Sequence, residues 1–126
     1  MVNSYRDLLV WQRGIDLVEC VYQATRSFPR QEVYGLTAQL RRAAVSVPSN
    51  IAEGHGRDHL GDYLHHLSIA NGSLMELETQ VVVARRLGYV TTDLESSLLR
   101  DSGEVGRMLA GLSRSLKRLL PPGRRP

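Results

Sequence analysis

The stretch YLHHLSIANGSLMELETQVVVA, residues 63–84, decides the fold. Tyr63, Leu67, Ala70, Leu74, Leu77, Val81 and Ala84 recur at spacings of 4, 3, 4, 3, 4 and 3, which places them on one face of an α-helix. A half-buried strand would alternate every second residue. Val81-Val82-Val83 is the one strand-like run, and the helical pattern surrounds it. Asp58 or His59 can open this helix, and Gly88 stands where a left-handed cap would close it, so the spacing predicts a helix over 59–87. Its heptad-like seam favours left-handed, coiled-coil-like packing.

The flanking segments carry the same period. Leu36, Leu40, Ala43, Val47 and Ile51 predict a helix over 31–56 that begins near Gln31 or Glu32 and stops at Gly54 and Gly56. Pro48 lies inside it, lacks a backbone donor and clashes with the carbonyl of Ala44, so a kink or short break is expected there. Leu8, Trp11, Ile15, Val18, Tyr22 and Thr25 form the main seam of a helix over 7–26, with Leu17, Val21 and Ala24 beside it and Phe28-Pro29 as its stop. Leu94, Leu98, Val105, Leu109, Leu112, Leu116 and Leu119 mark a last helix over 92–120, capped by Thr91 or Thr92 with Glu95 placed for a capping box. Four helices joined by short turns predict an all-α, antiparallel up-down four-helix bundle over residues 1–120. A flexible basic Pro/Gly/Arg tail over 121–126 follows. Surplus apolar positions, including Val10 in the first helix and Leu60, Leu64, Ile69, Val82 and Val83 in the third, predict association with further copies of the chain.

Composition narrows the function. With 42% hydrophobic and 23% charged residues in 126, wholesale disorder is excluded. One cysteine, Cys20, allows no internal disulfide, and four histidines beside it do not make zinc-finger spacing. No apolar run approaches the roughly 20 residues of a membrane span, and charges crowd the start of the chain, so a cytoplasmic protein without a membrane partner is expected. A di-metal bundle site needs Glu-x-x-His on two helices, whereas Asp62-x-x-His65 is the nearest match and occurs once. Ser46, Ser49 and Ser73 with His55, Glu53 and Glu76 supply residue types without a triad's order. The run Glu53-Gly54-His55-Gly56-Arg57 lacks the spacing and the lysine of a phosphate loop. The expectation is a protein that is not an enzyme and carries no cofactor.

Two polar features remain. Arg41, Arg42, Ser46, Ser49, Asn50, Glu53 and Arg57 follow one another along the second helix, and the third offers Asn71, Ser73, Glu76 and Glu78. Opposed arginines and carboxylates can fix helix register, so a structural network is predicted with Arg42 and Glu53 as anchors and Asn50 bridging. Ligand recognition and a plain solvated face are the alternatives. The second feature is charge: the net +3 divides into −2 over residues 1–99 (nine Arg, eleven Asp or Glu) and +5 over 100–126 (six Arg and Lys117 against Asp101 and Glu104). Arg100, Arg107, Arg114 and Arg118 share one face of the last helix, and Lys117, Arg124 and Arg125 extend it. Such a stripe could follow RNA or DNA phosphates without reading bases. Few aromatics and a modest net charge favour the other reading, a protein-interaction or structural module.

The stretch Leu40–Arg57, LRRAAVSVPSNIAEGHGR, resembles the 23S rRNA intervening-sequence family, also labelled S23 ribosomal proteins. Asp7-Leu8-x-x-Trp11, Phe28-Pro29-x-x-Glu32-x-x-Gly35-Leu36 and Leu67–Gln80 (LSIANGSLMELETQ) match it too, so the likeness spans about residues 5–120. His55 stands where that family commonly has an aromatic, and Asn71 where it has a small residue. The resemblance implies a four-helix bundle assembled as a cyclic homo-oligomer, namely a homopentamer. It also implies kinship with accessory variability proteins of diversity-generating retroelements, which bind a reverse transcriptase and its RNA.

Overall fold

A computed structural model describes residues 4–124, and helices occupy most of them. The long helices are α1 (Leu9–Thr25), α2 (Leu36–His55), α3 (Leu60–Arg86) and α4 (Thr92–Lys117), with 3-10 turns at Tyr5–Asp7, Arg30–Glu32 and Pro122–Arg124. Among the described residues, each helix packs backbone to backbone on its two neighbours in the cycle α1–α2–α3–α4, and the diagonal pairs stay farther apart. That is the sequential packing of an all-α, up-down four-helix bundle. Among the described residues, no helix is long and apolar enough to cross a membrane.

The core follows the sequence pattern on three helices. Leu36, Leu40, Ala43, Val47 and Ile51 of α2 are buried, as are Leu67, Ala70, Leu74, Leu77, Val81 and Ala84 of α3. On α4, Leu98, Val105 and Leu109 are buried, while Leu119 beyond its end is exposed. α1 differs. Its buried face is Val10, Gly14, Leu17, Val21 and Ala24, and the expected main seam of Leu8, Trp11, Ile15 and Val18 lies half-buried beside it. Both arcs obey the helical period; α1 turns its smaller arc inward, with Gly14 meeting Pro48 of α2 at 3.5 Å from where a Cβ would stand.

The joints explain the remaining boundaries. α2 begins at Leu36, five residues later than predicted, because the Glu32 carboxylate folds back to accept the Leu36 N–H at 3.2 Å. Tyr89, from the α3–α4 connection, donates its hydroxyl to the other Glu32 oxygen at 2.9 Å, and its ring lies 5.4 Å from that of Phe28. A Cβ on Gly35 would stand 2.7 Å from the Glu32 oxygen, so glycine lets the carboxylate take this capping position without shifting. Of the kink or short break expected at Pro48, the break does not occur: α2 runs through it, and Pro48 is buried against α1. Gly88, at φ 80°, closes α3 as expected, with its N–H on Arg85 O and the Tyr89 N–H on Ala84 O. Thr91 caps α4 by accepting the Leu94 N–H at 3.1 Å. The capping box fails because Leu94, not Glu95, then occupies the third helical position, and Glu95 pairs instead with Arg85 at 3.5 Å.

Candidate functional site

Of the polar residues singled out on α2 and α3, the structure brings five into one ladder. Ser46 Oγ lies 2.8 Å from Ser73 Oγ across the α2–α3 seam. Asn50 donates Nδ2 to Ser46 O at 2.9 Å and to Ser46 Oγ at 3.0 Å. Turning that amide over would set its oxygen against a carbonyl, so Oδ1 is fixed as the atom facing His66 Nδ1 at 3.0 Å. An amide oxygen only accepts, and His66 therefore carries its proton on Nδ1. Glu53 Oε2 stands 3.9 Å from the same nitrogen, and Glu53 Oε1 accepts from Arg57 at 3.0 Å. Gly54 lets α3 come this close: a Cβ there would meet His66 Cβ at 2.8 Å.

The other members go elsewhere. Arg41 faces α1, donating Nε to Thr25 Oγ1 at 2.8 Å with its guanidinium 4.5 Å from the Tyr22 ring. Arg42 and Asn71 are exposed, so Arg42 does not anchor the network as expected. Glu78 turns to α4 and accepts from the fully buried Ser102 hydroxyl at 2.6 Å, and Glu76 accepts from Gln80 on its own helix at 3.2 Å. Sequence reasoning missed His66 and Ser102. Ser102 had a signal, since it fills the helical step between Leu98 and Val105 on the apolar stripe of α4. His66 had none beyond its place one turn after Tyr63.

In the ladder His66 Nδ1 faces the Asn50 amide oxygen, not a serine hydroxyl. No group of three or more His, Cys, Asp or Glu side chains that could hold a metal occurs among the described residues. Burial, then the carboxylates of Asp101, Asp16 and Glu19, raises the Cys20 thiol above its ordinary pKa, which opposes the reactive thiolate. Burial likewise raises the Tyr63 hydroxyl.

The cations of α4 lie outside the bundle. Arg100, Arg107, Arg114, Lys117 and Arg118 are all exposed. Arg100 stands 3.6 Å from Asp101 and 3.4 Å from the Ser97 hydroxyl. Arg107, Arg114 and Lys117 have no carboxylate within ion-pair distance among the described residues. Arg124 ends the last 3-10 turn, and Arg125 lies outside the described residues.

Four helices packed in sequence, with their polar residues spent on helix joints, define an all-α bundle protein. The chain belongs to the 23S rRNA-intervening sequence protein family, which it matches over residues 6–111. Its fold is similar to a crystal structure from Bacteroides thetaiotaomicron VPI-5482, described as a protein of unknown function from the S23 ribosomal protein family. The two share 22% identity with a TM-score of 0.76, over 84% of this chain and 96% of that one. At that identity the likeness establishes the fold. No curated protein matches the chain.

Proposed function

We propose that this protein is a non-catalytic helical scaffold that assembles with copies of itself and holds RNA or DNA by its phosphates along the second half of α4. The observation that carries the reading is the exposed trio Arg107, Arg114 and Lys117, left without a counter-charge on a helix face. Exposed arginines of this kind contact phosphates and carry no base readout. Self-assembly has its own support: Trp11, Ile15 and Val18 of α1 meet Val45 and Pro48 of α2 around an open apolar hollow of about 250 Å³. Copies would repeat the cationic face and add avidity. That same apolar face favours the second reading, a protein-interaction module.

Three phosphate contacts contribute about 0.9 each to the slope of log affinity against log salt on duplex DNA. Binding should therefore weaken roughly 40-fold between about 50 and 200 mM salt for each protomer engaged. Fluorescence anisotropy with labelled RNA and DNA duplexes tests this on wild type and on Arg107→Ala/Arg114→Ala/Lys117→Ala. Arg118 is left intact because it has an interaction within the fold. Loss of both affinity and salt slope in the variant is the expected result. Absence of binding at low salt, or binding untouched by the triple change, leaves the protein-interaction reading ahead.

A further inference from the structure

At the end of the bundle where α1 stops and α2 starts, three arginines surround one open hollow of about 700 Å³. Arg26 caps the end of α1, Arg30 opens the 3-10 turn, and Arg41 comes from the second turn of α2. No acidic residue lines the hollow, whose apolar wall includes Phe28 and Val33. We propose that this hollow binds a phosphate ester of nucleotide size, its phosphate held by Arg26, Arg30, Arg41 and the hydroxyl of Thr37.

Arg41 is pre-set for the task. Thr25 donates its own hydroxyl proton to Val21 O at 2.8 Å and accepts Arg41 Nε at 2.8 Å. With Tyr22 beneath the guanidinium plane, the two terminal nitrogens of Arg41 stay unspent among the described residues. A guanidinium held this way presents a fixed fork to a phosphate. Thr37 is only 6% exposed, lines the hollow, and its hydroxyl has no hydrogen-bond partner among the described residues. The hydroxyl itself is open to the hollow, since Gln80 Oε1 is the one buried side-chain polar atom without a partner among the described residues, and it is free to donate to a ligand oxygen.

The charge balance agrees. Arg26 and Arg30 are exposed and have no ion-pair partner among the described residues. Glu32, the nearest acid along the chain, has its two oxygens engaged by Tyr89 and the Leu36 N–H. Three like charges around one hollow repel one another, and an anion relieves that repulsion. Volume selects the class of anion: small-molecule sites run to about 300–1,000 Å³, far more than a lone inorganic ion fills. The apolar wall would take the ring portion of the ester. Because α1–α4 run antiparallel, this site and Lys117 at the end of α4 lie at opposite ends of the bundle, so each can fail alone.

Two sources supply such a phosphate, a free nucleoside triphosphate and the 5′-phosphorylated end of a strand. Calorimetry on the full chain with ATP, and with a short oligonucleotide carrying or lacking its 5′-phosphate, separates them. Saturable binding of ATP, or of the 5′-phosphorylated strand well above its 5′-hydroxyl form, is expected. Arg26→Ala/Arg30→Ala should weaken that binding about tenfold or more. Thr37→Val keeps the shape of the side chain and should weaken it several-fold without lowering the melting temperature. Arg107→Ala/Arg114→Ala/Lys117→Ala should leave ATP affinity unchanged. If neither probe saturates wild type at low salt, or if binding survives both Arg26→Ala/Arg30→Ala and Thr37→Val, the proposal is overturned.

Discussion

Gly54 offers the sharpest test of how α2 and α3 come together. A Cβ there would stand 2.8 Å from His66 Cβ, 3.0 Å from Tyr63 Cδ1 and 3.2 Å from Tyr63 O. The tyrosine ring edge could swing aside, but the other two atoms are fixed to the α3 backbone. Gly54→Ala must therefore push the helices apart, at a cost of about 1–3 kcal/mol for an overpacked contact. It also gains about 1 kcal/mol, because alanine is the better helix former. The matched control is Gly72→Ala, also inside a helix, where no heavy atom lies within 4 Å of the new Cβ. That variant keeps the gain alone.

The quantity to measure is the difference between the two variants, which cancels the propensity gain and leaves about 1–3 kcal/mol. For a domain of this size that separates their melting temperatures by roughly 4–12 °C. Urea unfolding at matched protein concentration, with a common m-value, gives the same comparison isothermally. Gly54→Ala should also lengthen the 3.0 Å Asn50–His66 contact, visible as a changed environment of the His66 ring by NMR. If Gly54→Ala proves as stable as Gly72→Ala, α2 and α3 do not meet at this distance, and the ladder built on their contact falls with it.

Two further outcomes follow from the joints. The hydrogen bond to Glu32, then burial and the Glu32 charge, hold the Tyr89 pKa above 10.0. Its contribution to stability is thus present below pH 10 and lost as the pH rises through the raised value, because the unfolded chain ionises first. Tyr89→Phe should lower the urea midpoint at neutral pH, with the gap to wild type closing above pH 10; a gap constant with pH would refute the Glu32 link. Ser102→Ala removes the one hydrogen-bond partner that the half-buried Glu78 carboxylate has among the described residues and should cost about 1–2 kcal/mol by urea unfolding. An unchanged midpoint would mean that water serves Glu78 equally well.

The helices were legible because a single apolar stripe at a period of 3.6 admits one reading on α2 and α3. α1 shows where that stops. Leu8, Trp11, Ile15 and Val18 fit the period as well as Val10, Gly14, Leu17 and Val21, and periodicity alone cannot say which arc turns inward. The choice depends on Gly14 facing Pro48, a relation between helices. The start of α2 was hidden for a similar reason, since the Glu32 cap depends on Tyr89, 57 residues away. Of the two expected anchors, Arg42 and Glu53, helix geometry keeps them from serving one another, and only Glu53 enters the ladder. Eleven residues of helix separate them by about 16 Å, whereas Arg57 lies one turn beyond Glu53.

The residues that carry the family likeness have structural tasks. Phe28 lies against Tyr89, Glu32 caps α2, and Gly35 makes room for that cap. Ser46, Asn50 and Ser73 bond across the α2–α3 seam, where Gly54 permits close approach. These shared residues dictate how helices meet, and their polar groups are largely consumed in doing so. Apart from Arg41, whose terminal nitrogens stay free within the Leu40–Arg57 stretch, the unspent polar groups of the two proposed sites stand at other positions. Arg26 and Thr37 flank the Phe28–Leu36 motif, Arg30 occupies one of its open positions, and Arg114 and Lys117 lie past residue 111, where the family match ends. None of these side chains makes a hydrogen bond or ion pair at a helix joint among the described residues. Binding chemistry can therefore vary on this bundle without disturbing its fold, and that is the physical reason membership in the family identifies the architecture more firmly than the ligand.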